Sequence, residues 1–158
     1  MKDRIAKVVK NAPVADGIWK MTLGFEDLED IKGAQFLDIK LPDGSKILRR
    51  PFCICDFDAE KKTADVCYAV VGGGTKVLSE VKEGDKLNVL LPLGNGYVPK
   101  GKKIMLIGGG MGTAVLPAVV TANPDKAFHA YIGFANAGKV VLEKALAAKC
   151  ASVSVAPD

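Results

Sequence analysis

Residues 49–56, R-R-P-F-C-I-C-D, and residues 70–76, V-V-G-G-G-T-K, bracket the stretch whose reading decides the fold. Arg50 is a permanent cation placed just before Pro51, whose ring fixes φ and holds the chain extended, so the guanidinium keeps a set relation to the strand that follows. At the other end Gly72, Gly73 and Gly74 let backbone approach a ligand closely. Thr75 is expected to cap a helix running through Lys76, Val77, Leu78, Ser79 and Glu80. The unpaired N–H groups at such a helix start favour an anion. Two phosphate-binding devices joined by one hairpin point to a single bound dinucleotide, with an aromatic ring system lying on the strand that carries Phe52 and Cys53.

Outward from this stretch the pattern is β. Residues 3–12 and 17–25 read as strands separated by P-V-A-D, the second with Ile18, Lys20 and Thr22 alternating against Trp19, Met21 and Leu23. A further strand is expected over 34–41, and P-D-G-S at 42–45 forms a turn into a strand over 46–57. Polar residues 58–62 make a hairpin loop, and 63–71 is a return strand rich in β-branched residues. E-G-D at 83–85 turns into a strand over 86–91, which Pro92 is expected to end. Six short strands with regular turn signals and one short helix predict a closed antiparallel barrel ending near Pro99.

From Gly101 the period changes. Residues 103–107 form a compact apolar strand, Gly108-Gly109-Gly110-Met111-Gly112 a glycine turn, and 113–121 a helix stopped by Asn123 and Pro124. A strand over 127–134, a helix over 138–149 and a strand over 151–155 complete a β-α-β-α-β unit, one half of a doubly wound sheet.

With 158 residues and 49% hydrophobic content the chain can fill one ordinary core or two very small ones. The 22 basic and 18 acidic residues are dispersed without a Lys/Arg block, which argues against nucleic-acid or anionic-membrane binding. No apolar run approaches the roughly 20 residues of a spanning helix, and no signal-peptide pattern opens the chain, so a cytoplasmic location is the default expectation. Cys53, Cys55, Cys67 and Cys150 show neither zinc spacing nor a C-x-x-C pair, so no metal site is expected and buried reduced thiols are the simplest reading. His129, in mid-strand, reads as structural.

Four motifs in order, RRPFCICD, VVGGGTKVLSEVKEGD, LPLGNGY and LIGGGMGTAVLP, resemble those of the electron-transfer subunit of dihydroorotate dehydrogenase, within the ferredoxin reductase superfamily. The resemblance covers nearly the whole chain. It implies a six-stranded antiparallel Greek-key FAD-binding barrel over 1–99, followed by a partial doubly wound NAD-binding-like α/β domain over 100–158. It also implies the cofactor-binding residues: Arg50, Pro51, Phe52 and Cys53 on one strand, Cys67, Tyr68 and Ala69 on the next, Gly72, Gly73, Gly74 and Thr75 at the phosphates, and Gly109, Gly110 and Gly112 in the second loop. No catalytic residue is expected. Cys53 departs from the family's usual Ser or Thr, replacing a hydroxyl beside the flavin with a weaker donor.

In the family's scheme FAD passes electrons between NAD and a [2Fe-2S] cluster, reached from the FMN of a separate catalytic subunit, in pyrimidine biosynthesis. The four closely spaced cluster cysteines are absent from this sequence, which reads as C-terminally truncated, and NAD is not separable from NADP. The strand at 103–107 is then expected to have a bare edge and to favour a homodimer. Related readings are a small subunit of an NAD(P)H:ferredoxin or sulfide dehydrogenase, or a flavin-binding module without turnover. At residue level, Arg50 can be a surface ion-pair residue, 72–75 a flexible connector, and 108–112 a close-packing device between strand and helix.

Overall fold

The computed structural model describes residues 2–44 and 46–157, so Ser45, the last residue of the expected turn at 42–45, lies outside the described residues. Seven strands form one antiparallel sheet: β1 (Lys2–Ala15), β2 (Ile18–Gly24), β3 (Phe36–Ile39), β4 (Arg50–Cys53), β5 (Asp56–Asp58), β6 (Thr63–Ala69) and β7 (Lys86–Leu93), with helix α1 (Gly73–Ser79) between the last two. Their order is β4-β3-β7-β1-β2-β6-β5. The sheet therefore begins and ends with strands that only Ile54 and Cys55 separate in sequence. So short a link cannot cross a flat seven-stranded sheet, because neighbouring strands lie about 4.8 Å apart. The sheet curls until β4 packs beside β6, closing the expected barrel.

Inward positions fill the barrel by strict alternation: Ala6 and Val8, Met21 and Leu23, Leu37 and Ile39, Ala64, Val66 and Tyr68, and Leu87, Val89 and Leu91 are all buried. The expected strand over 46–57 instead forms two, giving seven strands in place of six. Ile54 donates its backbone N–H to Gln35 O (3.0 Å) and Cys55 to Asp65 O (2.7 Å), so the chain changes partners between them. Pro92 does not end β7, which runs on to Leu93. The P-V-A segment expected to follow the first strand lies within β1, where register shifts between Val8 and Lys10 and between Pro13 and Ala15 absorb the irregularity.

The second half is the expected β-α-β-α-β. Strands β8 (Lys103–Gly109), β9 (Ala127–Phe134) and β10 (Ser152–Pro157) pair in parallel in the order β10-β9-β8, and β8 has no other strand neighbour among the described residues. The helix expected over 113–121 begins as a 3-10 turn, Gly110–Val115, before α2 (Leu116–Thr121). Pro117 fits its first turn, where no N–H is needed. The helix expected over 138–149 is reduced to a 3-10 turn and α3 (Glu143–Ala147), because Val140 is extended and Leu142 adopts a left-handed φ of 66°. His129 is half-buried and pairs through Nδ1 with Ser152 Oγ at 2.8 Å, a cross-strand contact in the β9–β10 register. No helix among the described residues is long and apolar enough to cross a membrane.

A second core lies between the sheets. Ile18, Cys55 and Cys67, which point out of the barrel, pack with Leu106, Ala114, Val119, Phe128 and Ile132. At its margin Asp56 accepts hydrogen bonds from Thr121 Oγ1 (2.6 Å) and Lys149 Nζ (2.7 Å), so one carboxylate on β5 binds the end of α2 and the residue before Cys150. Replacing Asp56 by Ala should lower stability by about 1–3 kcal/mol, as expected when partly buried donors lose a charged acceptor. Urea denaturation reads this directly, and an unchanged midpoint would mean the carboxylate does not fasten the two halves.

Candidate functional site: Arg50 and two glycine loops

The two arginines that open the 49–56 motif separate cleanly in space. Arg49 is consumed by structure: its guanidinium bonds Asn88 through both the side-chain and the backbone oxygen, and pairs with Asp3 at 3.1 Å. Arg50 Nη1 donates only to neighbouring carbonyls, Leu48 O at 3.0 Å and Arg49 O at 3.4 Å. No carboxylate pairs with Arg50 among the described residues, so the surface ion-pair reading lacks its partner.

Arg50 meets the first glycine loop directly. A Cβ built on Gly74 would lie 3.0 Å from Arg50 Nε and 3.5 Å from Leu41 Cδ1, so a side chain here would push on the arginine that lies across this turn. Gly72 and Gly73 have open space where a side chain would stand. The helix begins earlier than its sequence suggests: Gly72 is the N-cap and Thr75 is the third helical residue. The Thr75 hydroxyl accepts the N–H groups of Val71 (2.9 Å) and Gly72 (3.1 Å) and donates to Gly72 O. Thr75 thus fixes the loop from inside the first turn. The N–H groups of Gly73, Gly74 and Thr75, the first three of the helix, have no acceptor within it. The connector is ordered by these bonds, not slack.

Along β4, Pro51 and Cys53 are exposed and Phe52 is half-buried against the barrel core. Phe52 and Tyr68 pack ring to ring at 5.8 Å with a 59° tilt. The LPLGNGY segment reaches the neighbouring strand: Cys53 pairs with Phe36, Phe36 with Leu93, and Gly94, at φ 83°, packs on the Phe36 ring. Gln35 Nε2 holds Gly94 O at 2.9 Å. Sequence patterns gave no reason to single out Leu41, Gln35 or Phe36, because each is an ordinary strand residue until the barrel closes.

The residues expected on β6 divide by side-chain direction. Tyr68 is buried inside the barrel, and burial pushes its phenol up to about 12 although its hydrogen bond to Asn11 works the other way. Cys67 points into the second core, and burial raises its thiol to about 11. Ala69 is half-exposed. Only the backbone of Cys67 and Tyr68 remains to border a ligand. Of the four cysteines, Cys55 and Cys67 are buried, whereas Cys53 is exposed and Cys150 partly so, which narrows the buried-thiol reading to two. Among the described residues no three His, Cys, Asp or Glu side chains converge as a metal site.

In the second glycine loop the close-packing reading falls on Gly108. The 3-10 turn at Gly110–Val115 packs against β6. A Cβ on Gly108 would lie 2.7 Å from Thr113 Oγ1 and 2.9 Å from Leu116 Cδ1, a close-packing requirement. Gly109 and Gly112 face open space, and Gly110 has a φ of 51°. Gly108→Ala should therefore cost about 1–3 kcal/mol, as overpacking does, while Gly112→Ala stays within about 0.5 kcal/mol. Thermal or urea unfolding of the two variants checks this, and equal effects would remove the distinction.

Arg50 thus lies beside a turn whose first three helical amides lack an acceptor within the helix, with open space at Gly72 and Gly73. The architecture, an antiparallel barrel joined to a parallel nucleotide-binding-type sheet, is that of the ferredoxin reductase-like proteins. Over 95% of its length the chain superposes, with TM-score 0.83 and 23% identity, on 56% of the chain of an NADH-dependent reduced ferredoxin-NADP oxidoreductase. With phthalate dioxygenase reductase the TM-score is 0.78 at 19% identity, over 99% of this chain and 52% of that one. No family model matches the sequence. The chain is 39% identical over 157 residues to the dihydroorotate dehydrogenase B (NAD(+)) electron transfer subunit of Streptococcus mutans, and 40% identical over 159 residues to that of Streptococcus thermophilus. Each alignment takes in 96% of this chain and, respectively, 60% and 61% of the relative. The chain belongs to the family of these electron transfer subunits, and spans about three-fifths of the length of the curated relatives it matches.

Proposed function

We propose that this chain is the FAD-binding part of an electron transfer subunit of an NAD-linked dihydroorotate dehydrogenase. The observation that carries the reading is Arg50 lying across Gly74, which unites the two expected phosphate devices at one point. A diphosphate there would meet a permanent cation and the amides of Gly73, Gly74 and Thr75, a charge-assisted arrangement suited to FAD and in excess of what FMN's single phosphate needs. Phe52, Cys53 and the backbone of residues 67–69 would border the ring system and ribityl chain, with Pro51 keeping their strand extended. Gly109, Gly110 and Gly112 would face the nicotinamide side. In this reading residues 1–99 form the FAD domain and 100–158 the nucleotide domain.

Bound FAD supplies the exchange between two-electron nicotinamide chemistry and one-electron transfer. The chain's own contribution is positional. Arg50 and the helix amides hold the anionic end, the wall at Phe52 orients the ring, and the second core keeps the nucleotide sheet against β6. Cys53 presents a thiol where the family has a hydroxyl, so the donor beside the ring is weakened. The partner in this reading is an FMN-containing catalytic subunit that oxidises dihydroorotate.

FAD should bind in preference to FMN, and Arg50→Ala should weaken it by about 1.5–3 kcal/mol, the range for hydrogen bonds to a charged group. Titration followed by flavin fluorescence measures both. Unchanged affinity in the variant, or preferential FMN uptake, counts against the clamp. The assignment to dihydroorotate oxidation rests on two further measurements: co-purification with a dihydroorotate-oxidising partner, and loss of oxidised-flavin absorbance when NADH is added to the loaded protein. Flavin reduction without such a partner would favour a different reductase.

A further inference from the structure

Asn11 lies in β1, outside every recognised motif, and its side chain holds three long-range hydrogen bonds. Its Nδ2 donates to Leu78 O at 2.8 Å and to Val81 O at 2.9 Å, at the C-terminal end of α1. Its Oδ1 accepts from the Tyr68 hydroxyl at 2.9 Å. The amide orientation is not arbitrary: helix-end carbonyls only accept, so Nδ2 must face them, and the buried phenol is then the donor to Oδ1. Tyr68 in turn packs on Phe52, in the same short strand as Arg50. One side chain thus links the far end of the phosphate-facing helix to β6 and, through two rings, to β4.

The helix has only 7 residues, about 10 Å at 1.5 Å per residue. A tilt at its C-terminal end is therefore carried to Gly73–Thr75 at the other. There Arg50 lies against the turn, its Nε 3.0 Å from where a Gly74 Cβ would stand. We propose that Asn11 is a positioning residue for the bound dinucleotide: by fixing α1 against Tyr68 it sets the gap between the helix amides and Arg50 in which the phosphates sit. This rests on the FAD reading above and adds to it a residue outside every motif.

The test is a double-mutant cycle in the full chain, with FAD as the probe. Asn11→Leu removes all three bonds while keeping the number and branching of side-chain heavy atoms, and Tyr68→Phe removes one while leaving ring and helix end in place. Asn11→Leu should raise the FAD Kd about tenfold or more, and Tyr68→Phe about threefold, as expected for a few neutral hydrogen bonds. The decisive readout is coupling. If Asn11 acts through the gap beside Arg50, adding either substitution to Arg50→Ala should weaken FAD little beyond Arg50→Ala alone. Additive losses would show a general packing role and overturn the inference, as would unchanged FAD affinity in the single variants. If Asn11→Leu does not fold, the Tyr68→Phe arm of the cycle decides alone. An Arg50→Ala variant that binds FAD as well as the parent removes the clamp reading itself, an outcome distinct from additivity between two effective substitutions.

Discussion

Two residues, Ile54 and Cys55, connect the opposite ends of a seven-stranded sheet, and that short link governs what the rest of the molecule can do. Both are fully buried, Ile54 in the barrel core and Cys55 in the second core. Their backbone N–H groups bond Gln35 on one side and Asp65 on the other, so the link is also where the chain changes partners. A flat sheet would hold its end strands several strand spacings apart. Closure brings β4, with Arg50, Phe52 and Cys53, against β6 and beside the turn that opens α1. The meeting of Arg50 with the Gly74 turn follows from barrel closure.

The same link explains why the two sheets share a core. Closing the barrel turns Cys55 and Cys67 outward on one side, beside Ile18, and the α/β half covers them with Leu106, Ala114 and Val119. The Asp56 carboxylate, one residue beyond the link, then accepts from Thr121 and Lys149 at the rim of this contact. Apolar area keeps the halves together, and Asp56 fixes their register. The second glycine loop inherits its position beside β6 from this packing, with Gly108 giving up side-chain volume so that Thr113 and Leu116 can approach.

Around that turn, the division of labour among similar residues follows from partner availability. Arg49 is saturated by Asn88 and Asp3, whereas Arg50 has only two neighbouring carbonyls. Adjacent residues on an extended chain point to opposite sides, so one arginine became a brace and the other a free cation. Among the glycines, Gly108 is required by contacts, Gly74 lies close against Arg50, and Gly72, Gly73, Gly109 and Gly112 leave room. Asn11 belongs to neither motif and gains its role only because closure places β1 beneath the end of α1.

The sequence by itself determined most of the elements and their order. Alternation in 17–25 and 63–71, the change of period at Gly101 and the exact strand at 127–134 are local signals, because side-chain direction repeats with the backbone geometry of each element. The order of glycine, proline and arginine motifs likewise carried the family, since each encodes a local backbone requirement. Only the tertiary structure decided which of two adjacent arginines is free of side-chain partners, that the 46–57 strand divides at the closing link, that Thr75 sits inside the first helical turn, and that Asn11 bonds the end of α1 while Gln35 holds Gly94 and Leu41 lies by the Gly74 turn. Those outcomes depend on contacts between residues dozens of positions apart, and no local pattern encodes which distant partner will exhaust a side chain's hydrogen bonds.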